Sequence, residues 1–118
     1  MQHFKNSFCL LLLLLLQACH QPLEWHATDL KGNNDLLCLT RPDVIGKIHS
    51  AYLNAGAHVI GTNTFNSTAV AQDDYNLGHL VSELNLAGAK IARDAVDSYC
   101  RENPGESCYV GGIIGPTP

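Results

Sequence analysis

Cysteine and histidine are the residues of this sequence best suited to hold a metal or to act as nucleophiles. A structural zinc site needs closely spaced ligand pairs such as C-x-x-C. The sequence contains no such pair, and the six histidines are scattered; the five cysteines are Cys9, Cys19, Cys38, Cys100 and Cys108. No zinc site can therefore be read from the cysteines, no metal or catalytic residue is assigned among them or the histidines, and buried free thiols are expected. His49 is expected to be a solvated or edge side chain of a helix.

Polar residues after two short apolar runs form the second candidate group. The β-branched run His58–Thr62 is typical of a buried parallel strand, and Asn63 and Thr64 follow it directly. A second apolar run, Tyr109–Ile114, precedes Gly115, Pro116 and Thr117. Because α/β proteins place ligand contacts at the carboxyl ends of parallel strands, both segments are candidates for binding. The competing interpretation is structural: Asn66 or Ser67 caps a short helix through Ala71, and the glycine and proline serve a turn.

Two helices must position these strand ends. The pattern of Thr40, Pro42 and Asp43 predicts a capped helix start, and an apolar face then continues from Arg41 to Ala55, where Gly56 ends the helix. A longer helix is predicted from Leu77 to Arg101 and ends before a Pro-Gly turn. No regular structure is predicted between Pro22 and Leu39.

The order helix, strand, long helix, strand predicts an α/β fold with about two parallel strands joined by a crossover helix. Two strands cannot close a barrel, and a parallel pair needs cover on both faces. The sequence therefore predicts a part of a larger sheet. The formal charge of −4 argues against nucleic acid as a partner.

The first 21 residues resemble a targeting segment. Lys5 precedes an apolar stretch from Phe8 to Leu16, which is too short for a stable membrane span because about 20 apolar residues are needed. Leu16-Gln17-Ala18-Cys19 is similar to a bacterial lipoprotein box. The segment is either a signal-like leader or an artefact of the gene model, and residues 22–118 form the predicted domain.

Four stretches together resemble a known family. They are Asp29-Leu30-Lys31-Gly32-Asn33-Asn34-Asp35-Leu36-Leu37, Thr40-Arg41-Pro42-Asp43-Val44-Ile45, Thr62-Asn63-Thr64-Phe65-Asn66-Ser67-Thr68 and Gly115-Pro116-Thr117. In this order they resemble the N-terminal homocysteine-binding domain of cobalamin-dependent methionine synthase. The resemblance implies a partial (β/α)8 TIM barrel.

The resemblance also implies chemistry. Members of that family transfer a methyl group from methylcobalamin to the homocysteine thiol, and zinc held by three cysteines keeps the sulfur as thiolate. The family's zinc cysteines follow later strands, so none of the five here is assigned to that role, and no cofactor is expected on this segment. Gly61 stands where many relatives have a glutamate.

The resemblance therefore implies homocysteine contacts from Thr62, Asn63, Thr64, Gly115, Pro116 and Thr117, and a cytoplasmic location. Without the family's zinc ligands and the other methionine synthase domains, no methyltransferase activity is expected for this polypeptide alone. Two alternatives stay open. The chain is an exported or lipid-anchored binding module if the leader is genuine, or it is a nonfunctional gene remnant.

Overall fold

The computed structural model describes residues 30–116, and the chain divides into two units, Met1–Asn34 and Asp35–Pro118. In the first unit the described residues form a turn, in which the Asn33 N–H donates to the Leu30 carbonyl at 3.1 Å and Gly32 has a φ of 94°. The leader-like segment and Thr117 lie outside the described residues, so their predictions remain untested.

The described residues form helices and two short strands. They are a 3-10 turn at Asn34–Leu36, α1 (Leu37–Thr40), α2 (Pro42–Asn54), β1 (Val59–Gly61), α3 (Ala69–Asp73), a 3-10 turn at Gly78–Leu80, α4 (Val81–Glu102) and β2 (Tyr109–Gly111). The predicted helix–strand–helix–strand order is confirmed. Both strands are shorter than predicted, and the long helix begins with a 3-10 turn.

The prediction for residues 34–41 is wrong in two respects. No regular structure was expected before Leu39, but a short helical segment buries Leu36, Leu37 and Cys38. Its helix α1 packs against α4. Thr40 does not cap α2, because it is the last residue of α1 and its hydroxyl donates to the Leu36 carbonyl at 3.2 Å. At the other end of α2, Gly56 has the predicted left-handed conformation, with a φ of 96°.

The two strands are parallel, as predicted, and pair in the register Val59 with Tyr109, Ile60 with Val110 and Gly61 with Gly111. Only one face of this sheet is covered. Ile60 is buried, whereas Val59 and Tyr109 are each 63% exposed on the opposite face. The strand predicted to be buried is therefore buried on one face only, because nothing in the described part of the chain covers the other face.

The core lies between α2, α4 and the covered face of the sheet. Its buried cluster is Leu53, Ile60, Ala92, Ala95, Val96 and Cys108. Along α4 the buried face includes Gly88 and Ala92, whereas Ala87 and Ile91 are only half-buried. Small residues on this face let α4 lie close to the elements that it covers.

His49 departs most clearly from expectation. It lies between Ile45 and Leu53 on the buried face of α2, and its Nε2 has no hydrogen-bond partner within residues 30–116. It is therefore not a solvated or edge side chain. Burial holds the pKa of His49 below its ordinary value, because the charged imidazolium loses its hydration there.

This burial predicts acid sensitivity. Below about pH 6.5 His49 is protonated in the unfolded chain but remains neutral in the folded chain. The free energy of unfolding therefore decreases as the pH is lowered, by at most about 1.4 kcal/mol per pH unit. His49→Leu should flatten this dependence in urea unfolding followed between pH 5 and 7. The control His79→Gln, at an exposed imidazole, should retain it. An unchanged slope in the His49 variant would contradict the prediction.

Candidate functional site

Two threonines join the segments that follow the strands. Thr62 Oγ1 accepts a hydrogen bond from the Ile113 N–H at 3.0 Å and lies 2.7 Å from Thr64 Oγ1, and the Thr64 hydroxyl donates to the Ile113 carbonyl at 2.7 Å. Since Thr64 has only one proton and gives it to Ile113, the Thr62 hydroxyl must donate to Thr64. Both side chains are buried, and both hydroxyl protons are used within the protein.

Gly115 brings the second segment against the first. The glycine is buried, and a Cβ placed on it would collide with the backbone oxygen of Phe65. No other residue type permits so close an approach of the two backbones without a shift. The neighbouring Pro116 is exposed. The segments after β1 and β2 thus meet at the carboxyl edge of the sheet.

A buried carboxylate holds the loop that follows Thr64. Asp35 Oδ2 accepts hydrogen bonds from the Asn66 N–H and from the Ser67 hydroxyl, each at 2.7 Å. Burial raises the pKa of Asp35 above its ordinary value, while these two hydrogen bonds act in the opposite direction. The loop conformation therefore depends on a residue about thirty positions earlier in the chain.

Cys38 lies beside the same loop. Its thiol donates to the Asn63 carbonyl at 3.4 Å and accepts from the Asn63 side-chain amide at 3.5 Å. Burial raises the pKa of this thiol, the Asn63 hydrogen bond lowers it, and the charge of Asp35 raises it further. A thiol whose pKa is raised is a weaker nucleophile near neutral pH. The two hydrogen bonds join Cys38 of α1 to Asn63 after β1.

We call the group formed by Asp35, Cys38, Thr62, Asn63, Thr64 and Ser67 the strand-end cluster. Helix α4 supports it, since the Asn85 amide donates to the Ser67 carbonyl at 2.8 Å. One turn further on, a Cβ at Gly88 would lie 2.5 Å from Thr64 Cγ2 and 3.6 Å from Cys38 Sγ. Only a glycine at position 88 lets the helix approach Thr64 this closely.

The contact at Gly88 gives a prediction with a built-in control. Alanine favours a helix over glycine by about 1 kcal/mol, so Gly46→Ala, whose Cβ would meet Ile91 at an ordinary 3.8 Å, should stabilise the chain. Gly88→Ala should instead destabilise it by about 1 kcal/mol, because overpacking of about 1–3 kcal/mol exceeds the gain in helix propensity. Urea unfolding measures both effects.

A second substitution tests the assigned cause. Thr64→Ser removes the methyl group that the new Cβ would meet and keeps the hydroxyl, so it should relieve the Gly88→Ala defect. If the two positions were independent, the changes in unfolding free energy caused by Gly88→Ala and Thr64→Ser would add within about 0.3–0.5 kcal/mol. We expect the double variant to be more stable than this sum by a larger amount. Additive effects would show that the destabilisation has another origin.

The structure brings together Thr62, Asn63, Thr64 and Gly115 of the six predicted contacts, with Pro116 next to them. Asn66 and Ser67 do not cap the short helix, because Thr68 does so by accepting the Ala71 N–H at 3.2 Å. Sequence analysis missed Asp35, Cys38 and Gly88 as members or supports of the cluster. The one sequence signal for any of these three residues was the position of the acidic Asp35 directly before the apolar pair Leu36-Leu37.

Residues 30–116 do not form a metal site. No three histidine, cysteine, aspartate or glutamate side chains within this range lie close enough together to hold an ion. The three cysteines of this range, Cys38, Cys100 and Cys108, are free thiols, as predicted. The residues described here therefore do not fit the three-cysteine zinc site that the resemblance implies for the family.

The fold and the cluster define a class of protein: an α/β segment with helices on one face of a parallel sheet and polar groups at its carboxyl edge. Residues 14–118 match the family model for homocysteine S-methyltransferase. The chain belongs to the homocysteine S-methyltransferase family. Between residues 30 and 116, no helix is both long and apolar enough to span a membrane.

Proposed function

We propose that this segment forms part of the homocysteine-binding (β/α)8 barrel of a cobalamin-dependent methionine synthase, with β1 and β2 as the second and third barrel strands. The observation that supports this most directly is the hydrogen-bonded junction of Thr62, Thr64 and Ile113, in a chain of the homocysteine S-methyltransferase family. Barrel enzymes bind their substrates at this end of the strands.

The one-sided cover of the sheet favours a barrel. In a (β/α)8 barrel the helices pack outside, and the other face of each strand points toward the interior, where side chains from neighbouring strands cover it. Ile60 packs against the helices, and the exposed pair Val59 and Tyr109 lies on the opposite face. We propose that further strands cover this pair in the complete barrel.

Within the site we propose two roles. Thr62 and Thr64 position the strand ends, because a ligand could receive their hydroxyl protons only if the hydrogen bonds already present were broken. Asn63, Gly115, Pro116 and Thr117 are the proposed neighbours of homocysteine. The amino acid carries a carboxylate and an ammonium group, which backbone and amide groups at such an edge can bind.

The proposed methyl transfer needs activation of the homocysteine sulfur. Zinc supplies this chemistry in the family by holding the sulfur as thiolate, and methylcobalamin supplies the methyl group. Residues 30–116 lack a ligand set for zinc, and burial raises the pKa of the Cys38 thiol beside the site. We propose that this segment binds and orients the amino acid and does not transfer a methyl group by itself.

The test is a titration of the ¹⁵N-labelled chain with L-homocysteine, followed by NMR. Amide shifts should concentrate at residues 62–67 and 112–115, and L-alanine, which lacks the thiol-bearing arm, should produce smaller shifts. In a parallel incubation with homocysteine and methylcobalamin we expect no methionine. Shifts spread over the surface, or methionine formation by the chain alone, would overturn the proposal.

A further inference from the structure

The side chain of Ile113 lies directly on Gly61. A Cβ built on this glycine would be 2.9 Å from Ile113 Cγ1 and 3.0 Å from Ile113 Cδ1, so any larger residue would displace the isoleucine. The backbone of Ile113 is fixed as well, because its N–H donates to Thr62 Oγ1 and its carbonyl accepts the Thr64 hydroxyl. Two hydrogen bonds and the absence of a side chain at position 61 therefore determine where the isoleucine lies.

This contact places Ile113 on the uncovered face of the sheet. Successive residues of a strand point to opposite faces, so Gly61 shares the face of the exposed Val59 and not that of the buried Ile60. The side chain that lies on Gly61 is on the same face, and Ile113 is 38% exposed. The carboxyl edge of the uncovered face therefore carries an apolar side chain that is only partly covered.

We infer that Ile113 is a specificity-determining residue: it contacts the side-chain arm of a bound amino acid and selects a short, uncharged, apolar arm. The inference rests on the proposed function, in which this edge binds homocysteine. The hydroxyl protons of Thr62 and Thr64 are already used within the protein, so neither donates to a polar arm. Gly61 is a positioning residue, because it acts only through the place it leaves for Ile113.

The arm of homocysteine fits such a surface. It consists of two methylene groups and a thiol, and a thiol behaves as a small apolar group with a weak donor. Burial of one methylene group strengthens binding about fourfold, whereas a hydroxyl that loses water without a new partner weakens it about tenfold. L-Norvaline, whose arm of similar shape ends in a methyl group, should therefore bind about as tightly as homocysteine. L-Homoserine, whose arm ends in a hydroxyl, should bind more weakly.

Dissociation constants of the three amino acids test the inference. They are obtained from the amide shifts at residues 62–67 when the full chain is titrated with each ligand. Ile113→Ala should weaken the binding of homocysteine and norvaline about four- to tenfold, because apolar contact is lost. Homoserine should lose less, since a smaller side chain lets water return to its hydroxyl. The preference for the apolar arm therefore decreases, whereas a purely structural defect would weaken all three ligands alike.

Gly61→Ala tests the position of the isoleucine without removing it. The new methyl group displaces the flexible end of the Ile113 side chain, so the chain should stay folded, the Ile113 methyl signals of ¹³C-labelled protein should shift, and the preference should decrease. The matched control is Gly111→Ala, at the cross-strand partner of Gly61. Its Cβ would meet Val59 Cγ1 at an ordinary 3.9 Å, so Ile113 and the preference should remain unchanged.

The outcomes separate this inference from the proposed function. If the wild type does not bind homocysteine at residues 62–67, both are overturned. If it binds there without a preference for the apolar arm, or with a preference that Ile113→Ala and Gly61→Ala leave unchanged, only the role of Ile113 is overturned. A preference that decreases in both variants and persists in Gly111→Ala supports the inference.

Discussion

Leu84→Ala is expected to lower the free energy of unfolding by about 2–5 kcal/mol, because the side chain is completely buried. Leu84 lies on the face of α4 that continues through Gly88 and Ala92. Truncation removes apolar surface from the core and leaves a cavity, and the small residues beside it have no side chains that could fill the space. Equilibrium urea unfolding measures the loss.

The same helix contains a matched control. Leu86 is two positions away and 73% exposed, so Leu86→Ala makes the same chemical change with the same effect on helix propensity. Its effect should stay within about 0.5 kcal/mol, as for other surface substitutions. Similar losses in the two variants would show that α4 does not bury the face described here.

The elements of this fold were largely predictable because their signals are local. The apolar repeat of α2 and the glycine after it depend on residues only a few positions apart, and the structure places that helix within one residue of its predicted ends. The parallel pairing of β1 and β2 was also predictable, since a long helix between two short apolar runs leaves few other topologies.

The errors arise where tertiary packing overrides a local signal. A polar or ionisable residue on a helix is usually solvated, yet His49 lies between Ile45 and Leu53 on the face of α2 that is buried when this helix packs against α4. Thr40 and Pro42 fit a helix start, but a short helix packed against α4 already ends at Thr40. Neither outcome is visible without the neighbouring elements.

The candidate site was predictable only in part, for the same reason. The carboxyl ends of parallel strands must meet at one edge, so Thr62 to Thr64 and Gly115 could be placed together from sequence. The carboxylate that holds the loop comes from Asp35, which no local pattern connects to Ser67. Hydrogen bonds between such distant positions appear only once the chain is folded.

Asp35→Ala is expected to lower the free energy of unfolding by about 2–4 kcal/mol. The substitution leaves the Ser67 hydroxyl and the Asn66 N–H without their acceptor, and a buried donor left unsatisfied costs about 1–3 kcal/mol. Asp35→Asn keeps an acceptor oxygen of nearly the same shape, so its loss should be clearly smaller. Ser67→Ala, which removes one of the two donors, should fall between the wild type and Asp35→Ala.

The same variants separate stability from binding. Asp35 is expected to hold the loop after Thr64 in the conformation that homocysteine contacts. Asp35→Ala should therefore also abolish the homocysteine-induced NMR shifts at residues 62–67, measured without urea at a temperature where the variant remains folded. Asp35→Asn should retain them, because its remaining oxygen can still accept the Asn66 N–H. Unchanged shifts in Asp35→Ala, with the expected loss of stability, would mean that this carboxylate supports the fold without shaping the binding edge.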